Sequence, residues 1–213
     1  MSGKYDPNIH HRRSIRLPWY DYSQDGWYFV TMCALGHKCL FGKFENGNIE
    51  LYRFGRIVNR CWKWLAEQYD YVNLDEYVVM PNHIHGIIII RRSGSGEGGS
   101  QTAPTEDTRK CKPLSRLVGA FKTVSTKQIN IIRNTAGGRL WQRNYYEHIV
   151  RNEEELNHAR HYIAENPINW RTDEENPDVT SSLYITQGRS GVAGISRVTS
   201  TTRQGNHGGL ALH

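Results

Sequence analysis

Apolar residues recur every three to four positions in three stretches of the chain, and this spacing predicts three amphipathic helices. The stretches are residues 51–68, 114–133 and 152–166. The last one begins with a capping pair, since Asn152 precedes the first turn and Glu155 follows three residues later. We expect it to end at Asn166, because the next residue is Pro167 and a residue before proline disfavours helical geometry.

Short runs rich in β-branched and aromatic residues alternate with these helices and predict four strands. They occupy residues 27–33, 76–80, 83–91 and 140–150. The resulting order is strand, helix, strand, strand, helix, strand and a further helix. This order predicts an α+β fold of the ferredoxin-like, split βαβ type. The additional C-terminal helix needs a docking surface, and we expect it on the open face of the sheet.

The segments between these elements set the expected domain limits. Residues 34–50 contain the turn dipeptide Asn46-Gly47 and predict a hairpin or loop. Residues 93–113 are rich in Gly, Ser and Thr and predict a flexible loop. We expect a basic arm over residues 1–18, a catalytic domain over 19–172 and a disordered tail over 173–213.

Charge and composition narrow the class of protein. The 213 residues include 27 Lys and Arg against 21 Asp and Glu, a net charge of +6, which favours an anionic partner such as nucleic acid. The sequence has no apolar run long enough to cross a membrane and no apolar segment typical of a secretory signal, so we expect a cytoplasmic protein. Its four cysteines lack CxxC spacing and are expected to be reduced thiols.

Two histidines, His83 and His85, stand two positions apart on a predicted strand, so both side chains point to the same face of the sheet. They lie in a run of Val and Ile, where an unsatisfied polar group is costly. Neighbouring imidazoles can share one divalent cation. The alternative is a pair of structural histidines with ordinary hydrogen-bond partners. Ile87 at the next position on that face excludes an HxHxH triad.

Tyr162 and Asn166 form a second pair, four positions apart on one face of the last predicted helix. Together with His83 and His85, the Asn166 carboxamide oxygen would provide a third ligand to Mg²⁺ or Mn²⁺. A nearby dication would favour the phenolate of Tyr162 and polarise a phosphate, so that attack on a phosphodiester gives a phosphotyrosine and a free 3′-OH. The simpler alternative is a tyrosine that packs at the helix edge and an asparagine that caps the helix.

Three segments resemble the REP-associated tyrosine transposases, which belong to the single-tyrosine HUH (insertion-sequence 200-like) transposases. They are WYFVTMC from residue 27, VVMPNHIHGIIII from residue 78 and WQRNYYEHIVRNEEELNHARHYIAENP from residue 141. The resemblance covers residues 12–170 and implies a catalytic helix packed on a ferredoxin-like sheet, a bacterial type of protein and single-stranded DNA, often a small hairpin, as substrate. It implies that His83 and His85 are the HUH pair, Tyr162 the nucleophile and Asn166 the third ligand, where related transposases carry Gln. Domesticated relatives also belong to this family.

Other residues compete for these roles or extend the site. Tyr145 and Tyr146 are alternative nucleophiles, but alternation along a strand allows only one of them to share the face of the histidines, and we expect them to pack or to stack on DNA. Phosphate contacts need Arg and Lys. The candidate DNA-binding residues are Arg12, Arg13, Arg16, Arg91, Arg92, Arg116, Lys122 and Arg143.

Three functions are compatible with this reading. The leading one is a metal-dependent endonuclease and strand transferase, monomeric or homodimeric, that cleaves single-stranded DNA at hairpin-associated sites through a 5′-phosphotyrosine. The second is a non-catalytic regulator that binds hairpin DNA or RNA on the same fold. The third is a hydrolase that acts on a small phosphoester without a covalent intermediate. The intact HxH and Tyr-x₃-Asn spacings favour the first.

Overall fold

The computed structural model describes residues 17, 19–91, 111–173 and 175–179, which form a four-stranded sheet, a small hairpin and three α-helices. The strands are β1 Gly26–Cys33, β2 Gly42–Glu45, β3 Asn48–Leu51, β4 Val72–Val79, β5 His83–Ile90 and β6 Tyr146–Val150. The helices are α1 Arg53–Gln68, α2 Leu114–Arg133 and α3 Glu153–Asn169. Short 3₁₀ turns follow β1 at Leu35–His37 and α3 at Trp170–Thr172.

The main sheet has the strand order β4-β5-β1-β6, and every neighbouring pair is antiparallel. The chain leaves β1, crosses through α1 and returns as β4, while β5 lies between these two strands. The second crossover, from β5 through α2 to β6, is split by β1 in the same way. This is the predicted α+β, ferredoxin-like arrangement, which is therefore confirmed. β2 and β3 form a separate hairpin around Asn46-Gly47, whose positive φ angles of 51° and 83° suit this dipeptide.

One face of the sheet packs on α1 and α2 and holds the larger hydrophobic core. Side chains from alternate positions of β1 and β5 meet the aromatic rings of both helices there, and Trp62 and Phe121 lie at the centre with their rings 5.5 Å apart. Gly86 of β5 faces Trp62 so closely that a Cβ atom at this position would lie 2.4 Å from the indole ring. The indole therefore fits against β5 only because residue 86 has no side chain.

The opposite face carries α3, as predicted for the additional helix. Phe29, Ile87 and Val150 of the sheet pack against the apolar stripe of α3, which consists of Leu156, Ala159 and Ile163. The remaining part of this face, toward the start of β5, is occupied by polar side chains. α3 thus covers one end of the sheet face with apolar contacts and extends past a polar region at the other end.

β4 is longer than predicted, because a β-bulge interrupts the alternation on which the prediction rested. The register with β5 is regular at Leu74↔Ile88 and again at Tyr77↔Gly86, so Asp75 and Glu76 together oppose one residue. The bulge exchanges the faces of odd and even positions. The alternation of apolar and polar residues therefore predicts only the second half of the strand.

The last strand and the last helix also differ from the predicted limits. The strand predicted over 140–150 begins only at Tyr146, and Trp141 makes just an isolated bridge to Ala34, since its indole N–H turns inward to donate to Ser125. The end of α3 predicted at Asn166 is wrong: the helix continues through Pro167 to Asn169. Burial of the following Trp170 offsets the backbone hydrogen bond that the proline cannot donate.

The boundary predicted for the disordered tail, residue 173, lies too early. Asn176 is buried, and its side-chain nitrogen donates to the carbonyl of Trp170 at 2.9 Å. A short stretch after α3 therefore packs back onto the domain. The rest of the predicted tail, most of the basic arm and residues 93–110 of the predicted loop lie outside the described residues. Among the helices that the structure describes, none combines the length and the apolar character needed to span a bilayer.

Candidate active site

The two histidines of β5 point to the α3 side of the sheet, as their spacing predicted. Their side chains are almost fully enclosed, with exposed fractions of 0% for His83 and 4% for His85. The two Nε2 atoms lie 2.9 Å apart, and the ring planes are steeply inclined at 74°. The spacing of two residues on one strand has thus brought two ring nitrogens to a single point.

Asn82 fixes the protonation of His83. The Asn82 amide nitrogen donates to two backbone carbonyls, those of His37 at 3.0 Å and Glu175 at 2.6 Å. Its oxygen must therefore face the Nδ1 atom of His83, 2.8 Å away, and accept a hydrogen bond from it. With the proton on Nδ1, the Nε2 atom of neutral His83 carries a lone pair that points at His85.

Thr31 of β1 provides the corresponding contact for the second histidine. Its hydroxyl lies 2.7 Å from Nδ1 of His85, its direct neighbour across the strands. When the hydroxyl accepts this hydrogen bond, His85 also directs a lone pair toward the shared point. Two lone pairs that face each other repel. Either a second proton on His85 or a metal cation must then lie between the two Nε2 atoms.

The separation of these nitrogens fits an octahedral cation. With bonds of about 2.1 Å, two adjacent ligands in octahedral coordination lie about 3.0 Å apart, close to the observed 2.9 Å. A carboxylate oxygen of Asp173 also approaches to 3.9 Å from the Nε2 atom of His83 and adds negative charge on this side. The electrostatics of the pocket therefore suit a positive ion.

α3 brings Tyr162 and Asn166 to this region. The Tyr162 ring lies 5.2 Å from the ring of His85 and 5.9 Å from that of Phe29, edge-on to both. Asn166 lies one turn further along the helix and is buried, and its side-chain oxygen has no hydrogen-bond partner among the residues that the structure describes. Buried oxygens of this kind are rare in folded proteins, and a carboxamide oxygen is a ligand that Mg²⁺ and Mn²⁺ accept. The three predicted donors are thus of types that such an ion accepts.

The surroundings of Tyr162 keep its phenol neutral. Burial raises the pKa of Tyr162 to about 12, and the negative charge of Asp173 acts in the same direction. A hydrogen bond from Asn166 opposes this effect and lowers the pKa. At neutral pH the phenol thus retains its proton unless a positive charge is added nearby.

Tyr145 and Tyr146, the two alternative nucleophiles, lie on opposite sides of the sheet. Tyr146 shares the histidine face, pairs with Thr31 across the strands and lies with its ring 6.1 Å from that of Phe29. Tyr145 packs with the larger core, where the Lys122 ammonium lies over its ring at 5.4 Å. Only Tyr146 therefore remains a positional alternative to Tyr162, as the alternation predicted.

A charged pair anchors α3 to the edge of the sheet. Arg160 donates from Nε and Nη2 to the two carboxylate oxygens of Asp75, at 2.9 and 2.6 Å. The bulge in β4 aims this carboxylate at the helix. The guanidinium lowers the pKa of the Asp75 carboxyl below its ordinary value. Arg160 was not identified from the sequence, since a lone arginine on an amphipathic helix resembles a solvated one.

Sequence reasoning missed three further residues that shape the site: Thr31, Asn82 and Asp173. Asn82 adjoins His83 and could have been recognised as a potential partner. Thr31 and Asp173 gave no signal, because their contacts depend on strand register and on the path of the chain after α3.

The predicted DNA-binding residues are dispersed over the molecule. Arg12, Arg13, Arg16 and Arg92 lie outside the described residues. Arg91 is exposed at the far end of β5, about 20 Å along the strand from His85 at about 3.3 Å per residue. Arg116 is exposed in the first turn of α2. Lys122 donates to the carbonyls of Gln142 and Asn144 and thereby holds the loop before β6.

Arg143 lies on the rim of an open groove of about 880 Å³ between the C-terminal half of α2 and the loop before β6. Four cationic side chains and no carboxylate line it; the cations are Lys122, Lys127, Arg139 and Arg143. One end of the groove is formed by Gln142, whose amide nitrogen lies 2.7 Å from Nε2 of His37. The positive charge of this groove suits a polyanion.

The fold has a counterpart among solved structures. A REP-associated tyrosine transposase bound to a REP hairpin superposes with a TM-score of 0.51 at 15% identity, over 90% of this chain and 96% of that one. The two proteins thus share a fold of the transposase type.

At the level of sequence, the chain belongs to the same family as an uncharacterized protein of Haemophilus influenzae, to which it is 39% identical over 178 residues. This alignment covers 82% of the chain and 98% of the relative. No protein-family model matches the chain.

Proposed function

We propose that this protein is a tyrosine transposase that cleaves and rejoins single-stranded DNA through Tyr162. The contact between the Tyr162 and His85 rings, 5.2 Å apart on the face of the sheet that carries both histidines, is the observation that carries the proposal. The prediction made from the sequence requires α3 to bring Tyr162 to the histidines of β5. The transposase fold of the solved neighbour supports the same class of activity.

In this reaction the Tyr162 hydroxyl attacks a phosphorus atom of the DNA backbone. A bond forms between the phenolic oxygen and phosphorus, and the bond from phosphorus to O3′ breaks. The phenol loses its proton and the departing O3′ gains one. The upstream piece of the strand then ends in a free 3′-OH, while the 5′-phosphate of the downstream piece stays on Tyr162. Attack by another 3′-OH on the phosphotyrosine reverses these steps and joins two strands.

His83, His85 and Asn166 would hold a Mg²⁺ or Mn²⁺ ion, which would supply the positive charge that favours the phenolate and polarises the phosphate. The protein contributes the orientation of the donors. Asn82 accepts the Nδ1 proton of His83, so that the Nε2 atom of the neutral ring would face the ion, and Thr31 orients His85. The unpartnered oxygen of Asn166 supports this assignment, because its burial has no compensating contact among the described residues.

The cationic groove beside α2 is the proposed path of the DNA strand. Its lysine and arginine side chains can contact phosphates, while the exposed Ile131 on its wall offers an apolar surface to a base. A hairpin bound there would present its single-stranded flank near Gln142 and His37. The REP hairpin bound by the solved neighbour makes a hairpin the first substrate to test.

The test is covalent capture. The full-length protein is incubated with Mn²⁺ and end-labelled single-stranded hairpins that differ in flanking sequence, and the products are separated under denaturing conditions. We expect a protein-DNA adduct that is absent with Tyr162→Phe and retained with Tyr146→Phe, the matched control on the same face.

Persistence of the adduct in Tyr162→Phe would refute the assignment of the nucleophile. Equal hairpin affinity with Mn²⁺ and with EDTA, without any adduct, would instead identify a non-catalytic DNA- or RNA-binding regulator. Turnover of small nucleotides without a covalent intermediate would identify a phosphoester hydrolase.

A further inference from the structure

A second group of ligand-type side chains lies at the end of β1, outside the proposed catalytic set. It consists of Cys33, the last residue of β1, His37 in the following 3₁₀ turn and Glu175 in the segment after α3. Their sulfur, nitrogen and oxygen atoms all lie within 4.8 Å of one another. No sequence motif indicates this cluster, because Glu175 is separated from Cys33 by most of the chain.

The backbone that carries the three side chains is held by contacts that do not depend on the cluster itself. The Ala34 N–H, next to Cys33, donates to the carbonyl of Asn82 at 2.7 Å. His37 adopts a left-handed conformation with φ of 52°, and its N–H donates to Ala34. The Glu175 N–H donates to the Asp173 carboxylate at 2.8 Å. This preorganisation is what a metal site requires before the ion arrives.

The chemistry of the donors selects zinc. Thiolate, imidazole and carboxylate are all zinc ligands, with bonds of about 2.0–2.3 Å that place tetrahedral donors about 3.3–3.6 Å from each other. The Nδ1 atom of His37 lies 2.5 Å from a carboxylate oxygen of Glu175, and the widest pair in the cluster is below 4.8 Å. The distances between donor atoms in the cluster thus span the range expected for tetrahedral zinc ligands. His37 is sufficiently exposed for water to occupy a fourth position.

Gln142 provides the outer contact that a zinc-bound histidine needs. Its side-chain amide lies 2.7 Å from Nε2 of His37. When Nδ1 binds a metal, the proton moves to Nε2, and a 180° rotation of the amide places its oxygen as the acceptor. The contact therefore accommodates the metal-bound tautomer without movement of the backbone.

We propose that Cys33, His37 and Glu175 form a zinc site that fastens the segment after α3 to the end of β1. The backbone carbonyls of His37 and Glu175 are the two acceptors of the Asn82 amide, which in turn orients His83. A metal that fixes both residues would also fix Asn82. The zinc proposal does not rest on the proposed strand transfer, since none of its three ligands belongs to the proposed catalytic set.

Cobalt titration of the full-length protein tests this proposal, because Cys33 brings a sulfur donor into the cluster. We expect about one equivalent of Co²⁺ to produce a thiolate-to-cobalt charge-transfer band in the near ultraviolet, and Zn²⁺ to remove it. The band should be absent in Cys33→Ser and unchanged in Cys39→Ser, which removes an exposed thiol six residues away. It should also persist in His85→Ala.

No band with the unaltered protein, or a band that survives Cys33→Ser, would overturn the zinc site. Because serine at a buried position can impair folding, Glu175→Gln is measured in parallel and should weaken zinc binding at least tenfold with a normal circular dichroism spectrum. Equal zinc affinity in that variant would also refute the proposal. Neither result bears on Tyr162, whose role the adduct assay decides separately.

Discussion

The contact between Arg160 and Asp75 should set the position of α3, and therefore of Tyr162, over the histidines. Arg160→Met removes the guanidinium but keeps most of the aliphatic stem that packs along the helix. Because Asp75 protrudes from the bulge of β4, the pair connects the middle of α3 to the edge of the sheet opposite β6. We expect the variant to fold with the same topology but with α3 less firmly held.

The geometry gives the size of the effect. Two charges about 4 Å apart attract by about 1 kcal/mol in water and about 4 kcal/mol at an effective dielectric constant of 20. This pair lies between those limits, since the side-chain exposed fractions are 38% for Arg160 and 15% for Asp75. After desolvation and side-chain ordering, a bidentate pair of this kind should contribute about 1.5 kcal/mol. That energy corresponds to about a tenfold change in the population of correctly docked helix.

The assay is a double-mutant cycle with Arg160→Met, Asp75→Asn and the double variant. Free energies of unfolding from urea titrations give the coupling energy, and initial rates of adduct formation give the effect on the site. We expect a coupling near 1.5 kcal/mol and a rate reduced up to tenfold, with unchanged hairpin affinity. Glu153→Gln is the control, because this partner of Arg160 is far more exposed and should contribute little.

The coupling should also depend on pH in a defined direction. Arg160 lowers the pKa of Asp75 below its ordinary value of 3.8, so the stabilisation is present above that value and is lost as the pH falls through the lower, folded-state pKa. The stability difference between the unaltered protein and Asp75→Asn should therefore be constant at neutral pH and shrink below pH 3.8. A coupling energy near zero, or adduct rates unchanged in Arg160→Met, would refute the idea that this pair positions Tyr162.

Three further substitutions test the local packing and chemistry. Gly86→Ala should destabilise the protein by about 3 kcal/mol in urea titrations, since the added methyl group would overlap Trp62; an unchanged midpoint would contradict the close contact. Thr31→Val should cost about 1–2 kcal/mol and reduce adduct yield by misorienting His85, and Thr31→Ser should restore both if the hydroxyl is responsible. Asn166→Leu should change the free energy of unfolding in EDTA by less than about 1 kcal/mol but abolish the rise in melting temperature on adding Mn²⁺; a persisting rise would exclude Asn166 as a ligand.

Local pattern was sufficient for the elements that are regular along their whole length. The predicted limits of the second helix match α2 at both ends, and β1 and β5 differ from prediction by a single residue each. In these segments the hydrophobic period and the flanking breakers both point to the same structure. The face shared by His83 and His85 followed from strand alternation alone.

Elements whose limits depend on distant contacts could not be obtained in this way. The bulge at Asp75 disrupts the alternation in β4. The partner of this carboxylate is Arg160 on α3, which donates to it across the fold. Continuation of α3 beyond Pro167 depends on the burial of Trp170, which only the folded sheet provides. Local propensity argues against both features, and tertiary contacts override it.

The candidate site is the place where this fold accepts several unfavourable features at once. Residues 87–90 of β5 are all isoleucine, which suits a strand covered on both faces. The same strand nevertheless begins with two enclosed imidazoles whose Nε2 atoms lie 2.9 Å apart. The buried oxygen of Asn166 lacks a partner within the described part of the chain. Burial and the negative charge of Asp173 both raise the pKa of the Tyr162 phenol. Each feature alone could be an accident of packing. Under the proposed function, a single cation would relieve all of them, because it would bind the lone pairs and the Asn166 oxygen and lower the pKa of the phenol. The proposed ion would therefore account for several unfavourable features at once.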